Sequence, residues 1–270
     1  MEKSSTLPLE VISRRPQEPN GKPPLLFVHG AFAGAWCWDE HFLPWFARQG
    51  YESHALSLRG HRGNGSNDDS VHRMGIADYV ADLAEVAGTL DRPPVLIGHS
   101  MGGYVVQKYL VNHRASGMVL MASVPPTGLA GPAFSIATSH PLLMWQIGLF
   151  QLFGMHQTST GLLHDALFSD AKPRHETSKY FPVARQESIR ATIDMYAPGL
   201  PRSPSFDGTP VKVLGGAMDK LIAPLHVFWT GIYHGVRSEI YADVGHAMML
   251  DVHWERVAEA IHDWLGEHYR

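Results

Sequence analysis

Several short stretches of the chain are apolar at nearly every position: 25–28, 53–58, 95–97, 118–121, 211–214 and 239–241. A strand with one face in water alternates apolar and polar residues. Near-continuous runs of this length instead predict strands buried on both faces, as in a parallel sheet. Between them the apolar positions recur at helical spacing. Phe42, Trp45 and Phe46 form a stripe that stops at Gly50, and Ile76, Val80, Leu83, Ala87 and Leu90 repeat at three- and four-residue steps. Close to the end, Asp251 is placed to cap a helix that carries Trp254, Val257, Ile261 and Trp264 on one face. Strands alternating with helices predict a doubly wound, mostly parallel α/β domain.

One region breaks the alternation. From residue 126 to 205 there is no strand-like run, and the stretch around 141–153 is strongly apolar without clean amphipathic spacing. Eighty residues is too long for a loop inside a compact domain. The expectation is a helical cap over 126–205, inserted into an α/β core made of 1–125 and 206–270.

Composition narrows the function classes. The 270 residues are 44% hydrophobic and 18% charged, with a formal net charge of −4. That is ordinary for a globular chain, and it lacks the basic excess a nucleic-acid-binding surface needs. The apolar runs are too short and too interrupted to span a bilayer. The first residues lack the apolar core of a secretory signal. With Cys37 the only cysteine, no intrachain disulfide can form, and a cytoplasmic location is expected. Cys37 sits between Trp36 and Trp38 and reads as packing rather than chemistry. None of the 17 histidines stands in a metal-ligand spacing, so no metal site is expected.

The sharpest chemical signal is Gly98-His99-Ser100-Met101-Gly102-Gly103, directly after the 95–97 run and ahead of a helical stretch. A Gly-x-Ser-x-Gly turn between strand and helix lifts the serine above the strand ends, and its glycines let the two backbones approach. Serine alone is a poor nucleophile and needs a base with an orienting acid. His246 follows the last strand-like run and precedes the final helix, whereas His253 and His262 fall within that helix. Asp219 follows the preceding run and is the expected acid. Asp243 is its rival but shares a loop with the histidine. Both sites lie at carboxyl ends of predicted strands, where ligands gather in open α/β sheets. For the oxyanion, the Met101 amide supplies one donor. The turn after the first run, His29-Gly30-Ala31-Phe32, supplies the second from Ala31, with Phe32 as the alternative. His29 and His99 are expected to hold loops in place rather than transfer protons. Leu142, Leu143, Met144, Trp145, Ile147, Leu149, Phe150 and Phe153 suggest an apolar acyl or aryl pocket, in which Phe32 and Trp145 are expected to face the substrate.

The phrases HGAFAGAWCWDEHFLPWFARQGY, LRGHRGNG, GHSMGGYV, GGAMDKLI and DVGHAMMLD resemble the α/β-hydrolase superfamily along nearly its full length. The opening phrase is similar to small esterases, including the plant methylesterase and hydroxynitrile lyase branch. The remainder is similar to lysophospholipase-like bacterial esterases. The resemblance implies a cap, no cofactor, and hydrolysis through an acyl-enzyme on Ser100, His246 and Asp219. The expected substrate is a small-molecule ester or lactone. Serine at position 100 excludes the aspartate-nucleophile branches, and a hydroxynitrile lyase would need Lys172 or Lys179 poised over the site. C–C bond hydrolysis and cofactor-free perhydrolysis are alternatives on the same residues, and a ligand-binding receptor is the alternative of another class.

Overall fold

The molecule, a computed structural model, is described over residues 9–61, 69–153, 158–196 and 208–269. Its strands are β1 (Glu10–Arg14), β2 (Leu25–Val28), β3 (Ser53–Ser57), β4 (Val95–His99), β5 (Gly117–Met121), β6 (Val211–Gly216) and β7 (Ser238–Tyr241). They form one sheet in the order β1-β3-β2-β4-β5-β6-β7, in which only β1 runs antiparallel. Five of the six apolar runs form strands buried along their length, as predicted. The sixth, 239–241, is a correction, because it forms the edge strand β7, where Glu239 and Ile240 are exposed and only one neighbouring strand covers it. In β2, Leu25 and Phe27 enter one core layer while Leu26 and Val28 enter the other, and all four are fully buried.

The strand missed by pattern reading is β1. Its burial alternates weakly, and Ile12 is its main contact with the core. It is a charged edge strand, with Glu10 opposite Ser57 in the β3 register. Charge on an edge blocks further pairing but also hides the strand from a search for apolar runs.

The helices flanking the sheet are α1 (Trp36–Asp39), α2 (Phe42–Arg48), α3 (Ile76–Gly88), α4 (Met101–Tyr109), α10 (Pro224–His234) and α11 (Trp254–His268). Between β5 and β6 the described chain is helical: α5 (Ala130–Ser139), α6 (Pro141–Phe153), α7 (Thr160–Leu167), α8 (Arg174–Thr177) and α9 (Ile189–Asp194). The expected boundary at 205/206 lies outside the described residues. No helix among the described residues is long and apolar enough to cross a membrane.

One expected cap is corrected. Helix α11 is entered from His253 without a side-chain cap, and Asp251 turns inward to other amides. A fully buried carboxylate takes the donors nearest to it, here in its own loop at Gly245 and Val252 and at Ser169, in preference to a helix start three residues away.

Phe27 in β2 packs its ring against Trp38 at 5.0 Å, Phe46 at 5.8 Å and Phe42 edge-on at 6.2 Å. Replacing it by alanine leaves a cavity that a strand bonded on both sides cannot close. The Phe27→Ala variant is expected to lose about 3–5 kcal/mol of unfolding free energy, as measured by equilibrium urea denaturation.

Candidate active site

Strand β4 ends at Ser100, whose backbone sits at φ 51° and ψ −119°. Positive φ is strained for a residue with a Cβ, so surrounding bonds must hold it. The Ser100 amide donates to the Met121 carbonyl at 3.1 Å, and its carbonyl accepts from Gly103 N–H at 3.1 Å and Val124 N–H at 3.0 Å. Glycines let α4 come close enough for this. A Cβ on Gly98 would sit 2.6 Å from Gly103 Cα, and one on Gly102 would press into the Val28 and His29 carbonyl oxygens. Helix α4 starts at Met101, so the Met101 amide has no intrahelical partner and the helix dipole favours negative charge there.

Asp219 lies in the turn after β6. Its Oδ1 accepts from Leu221 N–H at 2.8 Å and Ile222 N–H at 2.9 Å, while Oδ2 faces His246 Nδ1 at 2.7 Å. The two side chains are 0% and 4% exposed. With Nδ1–H committed to Asp219, the His246 Nε2 lone pair is left as acceptor. The rival acid, Asp243, points to the surface, where Arg256 and His253 each approach it at 3.2 Å. His262 packs edge-on between the rings of Trp45 and Tyr51.

The loop that carries His246 is pinned on every side. The His246 carbonyl accepts from His99 Nε2–H at 2.9 Å and Met248 N–H at 2.8 Å, and Ala247 N–H donates to Leu167 O at 2.7 Å. Asp251 accepts from Gly245 N–H at 2.9 Å, Val252 N–H at 2.6 Å, and Ser169 through N–H at 2.8 Å and Oγ at 2.6 Å. Burial, reinforced by His246, draws His99 well below the ordinary histidine range, so it stays neutral and donates from Nε2.

On the opposite side, His29 organises the loop after β2. Its Nδ1–H donates to the Gly30 carbonyl at 2.8 Å, and its Nε2 accepts from Leu58 N–H at 3.0 Å, so a single neutral tautomer satisfies both. Burial, together with His61, pushes its pKa down to about 3. Both histidines thus hold loops, as expected from the sequence. Phe32 adopts φ 65°, and its carbonyl accepts from Arg185 N–H at 2.9 Å. The Ala31 and Met101 amides have no hydrogen-bond partner among the described residues.

Ser100, His246, Ala31 and Met101 line one cavity of about 390 Å³. Leu143, Met144, Ile147 and Phe150 of α6 form part of its far wall, and the Phe32 ring packs on Phe150 at 4.7 Å. Leu142, Leu149 and Phe153 do not line the cavity, and Trp145 is a correction too: it is 60% exposed and lies outside it. At 100° per residue, a position two away from Leu143 and Ile147 lies on the other side of the helix. Lys172 pairs with Glu176 at 3.3 Å and Lys179 with Glu40, and neither lines the cavity, so neither stands over Ser100. Cys37 is buried in the wall, and burial pushes its thiol up, away from the thiolate. Pattern reading missed His61, Glu187 and Asp251, three buried polar residues around the site. Asp251 and His61 each fall in a phrase that resembles the superfamily, but Glu187 carries no local signal of burial.

Comparison with known proteins bears on the family and the fold. The model of a family described as "Alpha/beta hydrolase family" matches residues 25–260. Among curated proteins, the non-heme chloroperoxidase of Burkholderia pyrrocinia is 36% identical over 114 residues, covering 40% of this chain and 40% of that protein. Among solved structures, an esterase of Exiguobacterium antarcticum superposes with a TM-score of 0.74 at 18% identity, covering 96% of this chain and 95% of that one. A soluble variant of the monoglyceride lipase of Saccharomyces cerevisiae superposes with a TM-score of 0.73 at 17% identity, covering 98% and 96%.

The tight approach of α4 to β2 generates a stability prediction. Gly102→Ala forces the helix away from two backbone carbonyls that cannot rotate aside. It is expected to cost about 1–3 kcal/mol, seen as a lower unfolding midpoint with unchanged far-ultraviolet dichroism.

Proposed function

The chain belongs to the alpha/beta hydrolase family, and from that premise we propose that it is a serine esterase acting on small to medium uncharged esters through an acyl-enzyme. The observation that carries this reading is the buried Asp219–His246 contact of 2.7 Å in the wall of the cavity that also holds Ser100. Ser100 Oγ attacks the ester carbonyl, and its proton passes to His246 Nε2. The C–O bond of the tetrahedral intermediate breaks, and His246 returns the proton to the leaving alkoxide. Water then attacks the acyl-enzyme by the same route and regenerates the serine. Asp219 keeps the imidazole in the required tautomer and stabilises the imidazolium. The Ala31 and Met101 amides, unpartnered among the described residues, bind the oxyanion, each contributing on the order of 3 kcal/mol. Helices α5–α9 serve as a cap whose inner faces form the acyl pocket.

Apolar lining sets the expected preference. Each methylene transferred into such a wall contributes about 0.8 kcal/mol, or about fourfold in kcat/KM. Across a series of p-nitrophenyl esters, kcat/KM is expected to climb about fourfold per carbon until the cavity is full, while acyl chains ending in carboxylate are rejected. A flat series would contradict an acyl pocket here.

Two substitutions test the roles. Ser100→Ala is expected to lower kcat by about 10⁶-fold and to abolish the covalent mass increase left by an organophosphate. Asp219→Asn keeps the shape of the site but permits the wrong tautomer, and its kcat is expected to fall about 10⁴-fold. Retained turnover in Ser100→Ala would refute the assignment.

A further inference from the structure

Glu187 is 1% exposed and lies on the inserted segment just ahead of α9. Burial of a carboxylate is costly unless each oxygen finds donors. Here Oε2 meets His61 Nε2 at 3.0 Å, and Oε1 accepts from Tyr79 O–H at 2.7 Å and Ser188 N–H at 2.7 Å. Although Glu187 reaches the cavity wall, both oxygens are committed to protein groups, which argues against a role as substrate ligand.

What these contacts restrain is the loop after β2. His61 lies in the turn after β3, and its ring packs on that of His29 at 5.1 Å. Its backbone carbonyl fills the space a Cβ on Gly34 would need, at 2.7 Å. His61 therefore backs the 29–34 loop from below. From above, Arg185 N–H holds the Phe32 carbonyl, and the Phe150 ring holds the Phe32 side chain. Phe32, strained at φ 65°, is the immediate neighbour of Ala31.

We propose that Glu187 is a positioning residue: by clamping His61 it ties the inserted helices to the loop after β2 and holds the Ala31 amide where the oxyanion forms. This rests on the esterase reading above. An amide displaced by about 1 Å can cost on the order of 10²-fold in rate. Because the loss falls on the transition state, it belongs in kcat rather than KM.

The pair also has a defined pH window. Burial lowers His61, but the adjacent Glu187 carboxylate outweighs it, so its pKa is raised overall. Burial raises Glu187, but His61, Tyr79 and the Ser188 amide outweigh it, so its pKa is lowered overall. His29 at the end of β2, Arg59 beside His61, and Tyr79, Asp78 and Asp82 on α3 are the other titratable groups facing them. The His61 contribution to stability is complete below its unfolded pKa and disappears as pH rises through the raised folded value. The Glu187 contribution is complete above its unfolded pKa and disappears as pH falls through the lowered one. The clamp is thus closed between these limits.

The experiment compares wild type with Glu187→Gln, His61→Gln, the double variant and Ser100→Ala on one activated ester. Each single variant is expected to lower kcat between about 10- and 100-fold with KM within about twofold. The double variant should lose no more than either single, as residues acting as one unit do. The alkaline decline in wild-type melting temperature attributed to His61 should be absent from Glu187→Gln. Unchanged kcat, a loss confined to KM, or additive losses would overturn the proposal. If neither single variant folds, the double variant has no buried charge left at this site, and wild-type kcat in it would likewise overturn the clamp. Full turnover in Ser100→Ala would instead mean that the esterase reading had failed, so the two failures are distinguishable.

Discussion

The site depends on how closely α4 approaches the ends of β2 and β4. Gly98 and Gly102 stand where any side chain would meet neighbouring backbone, Gly103 stands against the Ser123 side chain, and Gly30 stands against the His99 ring. Only with hydrogen in those positions can the chain turn from strand to helix at Ser100 with φ 51°. Once it does so, three things follow without further residues. The serine projects above the sheet, the Met101 amide heads a helix dipole, and the loop after β2 lies near enough to contribute a second amide. The strain at Ser100 is held by bonds to Met121, Gly103 and Val124, from β5, α4 and the loop beyond β5.

Buried carboxylates distribute this precision to the other loops. The acidic residues buried among those described are Asp82, Glu187, Asp219 and Asp251, and each serves a different junction. Asp82 grips Arg59 and its amide after β3, with Nε to Oδ1 at 2.7 Å. Asp219 takes two amides of its own turn before it meets His246, so its orientation does not depend on the histidine. Asp251 joins the His246 loop to Ser169, and Glu187 joins the inserted segment to His61. An unpaired carboxylate in these positions would cost more than the pair contributes, so such residues define geometry more than they add stability.

The inserted helices therefore meet the core in two ways. Their apolar inner faces fill the space above Ser100, while a few polar contacts at Ser169, Arg185 and Glu187 hold them in register with the His246 loop and the loop after β2. Dispersion and hydrophobic burial have little directionality and would tolerate sliding. Hydrogen bonds to buried groups do not, because a displaced donor leaves an acceptor with no water to replace it.

By itself, the sequence was sufficient for whatever follows from local pattern. Near-continuous apolar runs of three to six residues coincide with six of the seven strands, and five of those six are buried along their length. The Gly-x-Ser-x-Gly turn declares its geometry through glycine, and strand-end position separates His246 from sixteen other histidines. Tertiary structure alone decided the rest. Strand β1 carries no apolar run because it is an edge; Trp145 leaves the cavity because of helix phase; Asp251 abandons a helix start because buried loops offer more donors. Glu187 and His61 lie 126 positions apart, and nothing near Glu187 distinguishes it from a surface residue. Burial is a property of the assembled fold, so the residues whose role depends on being buried and charged become visible only when the chain brings them together.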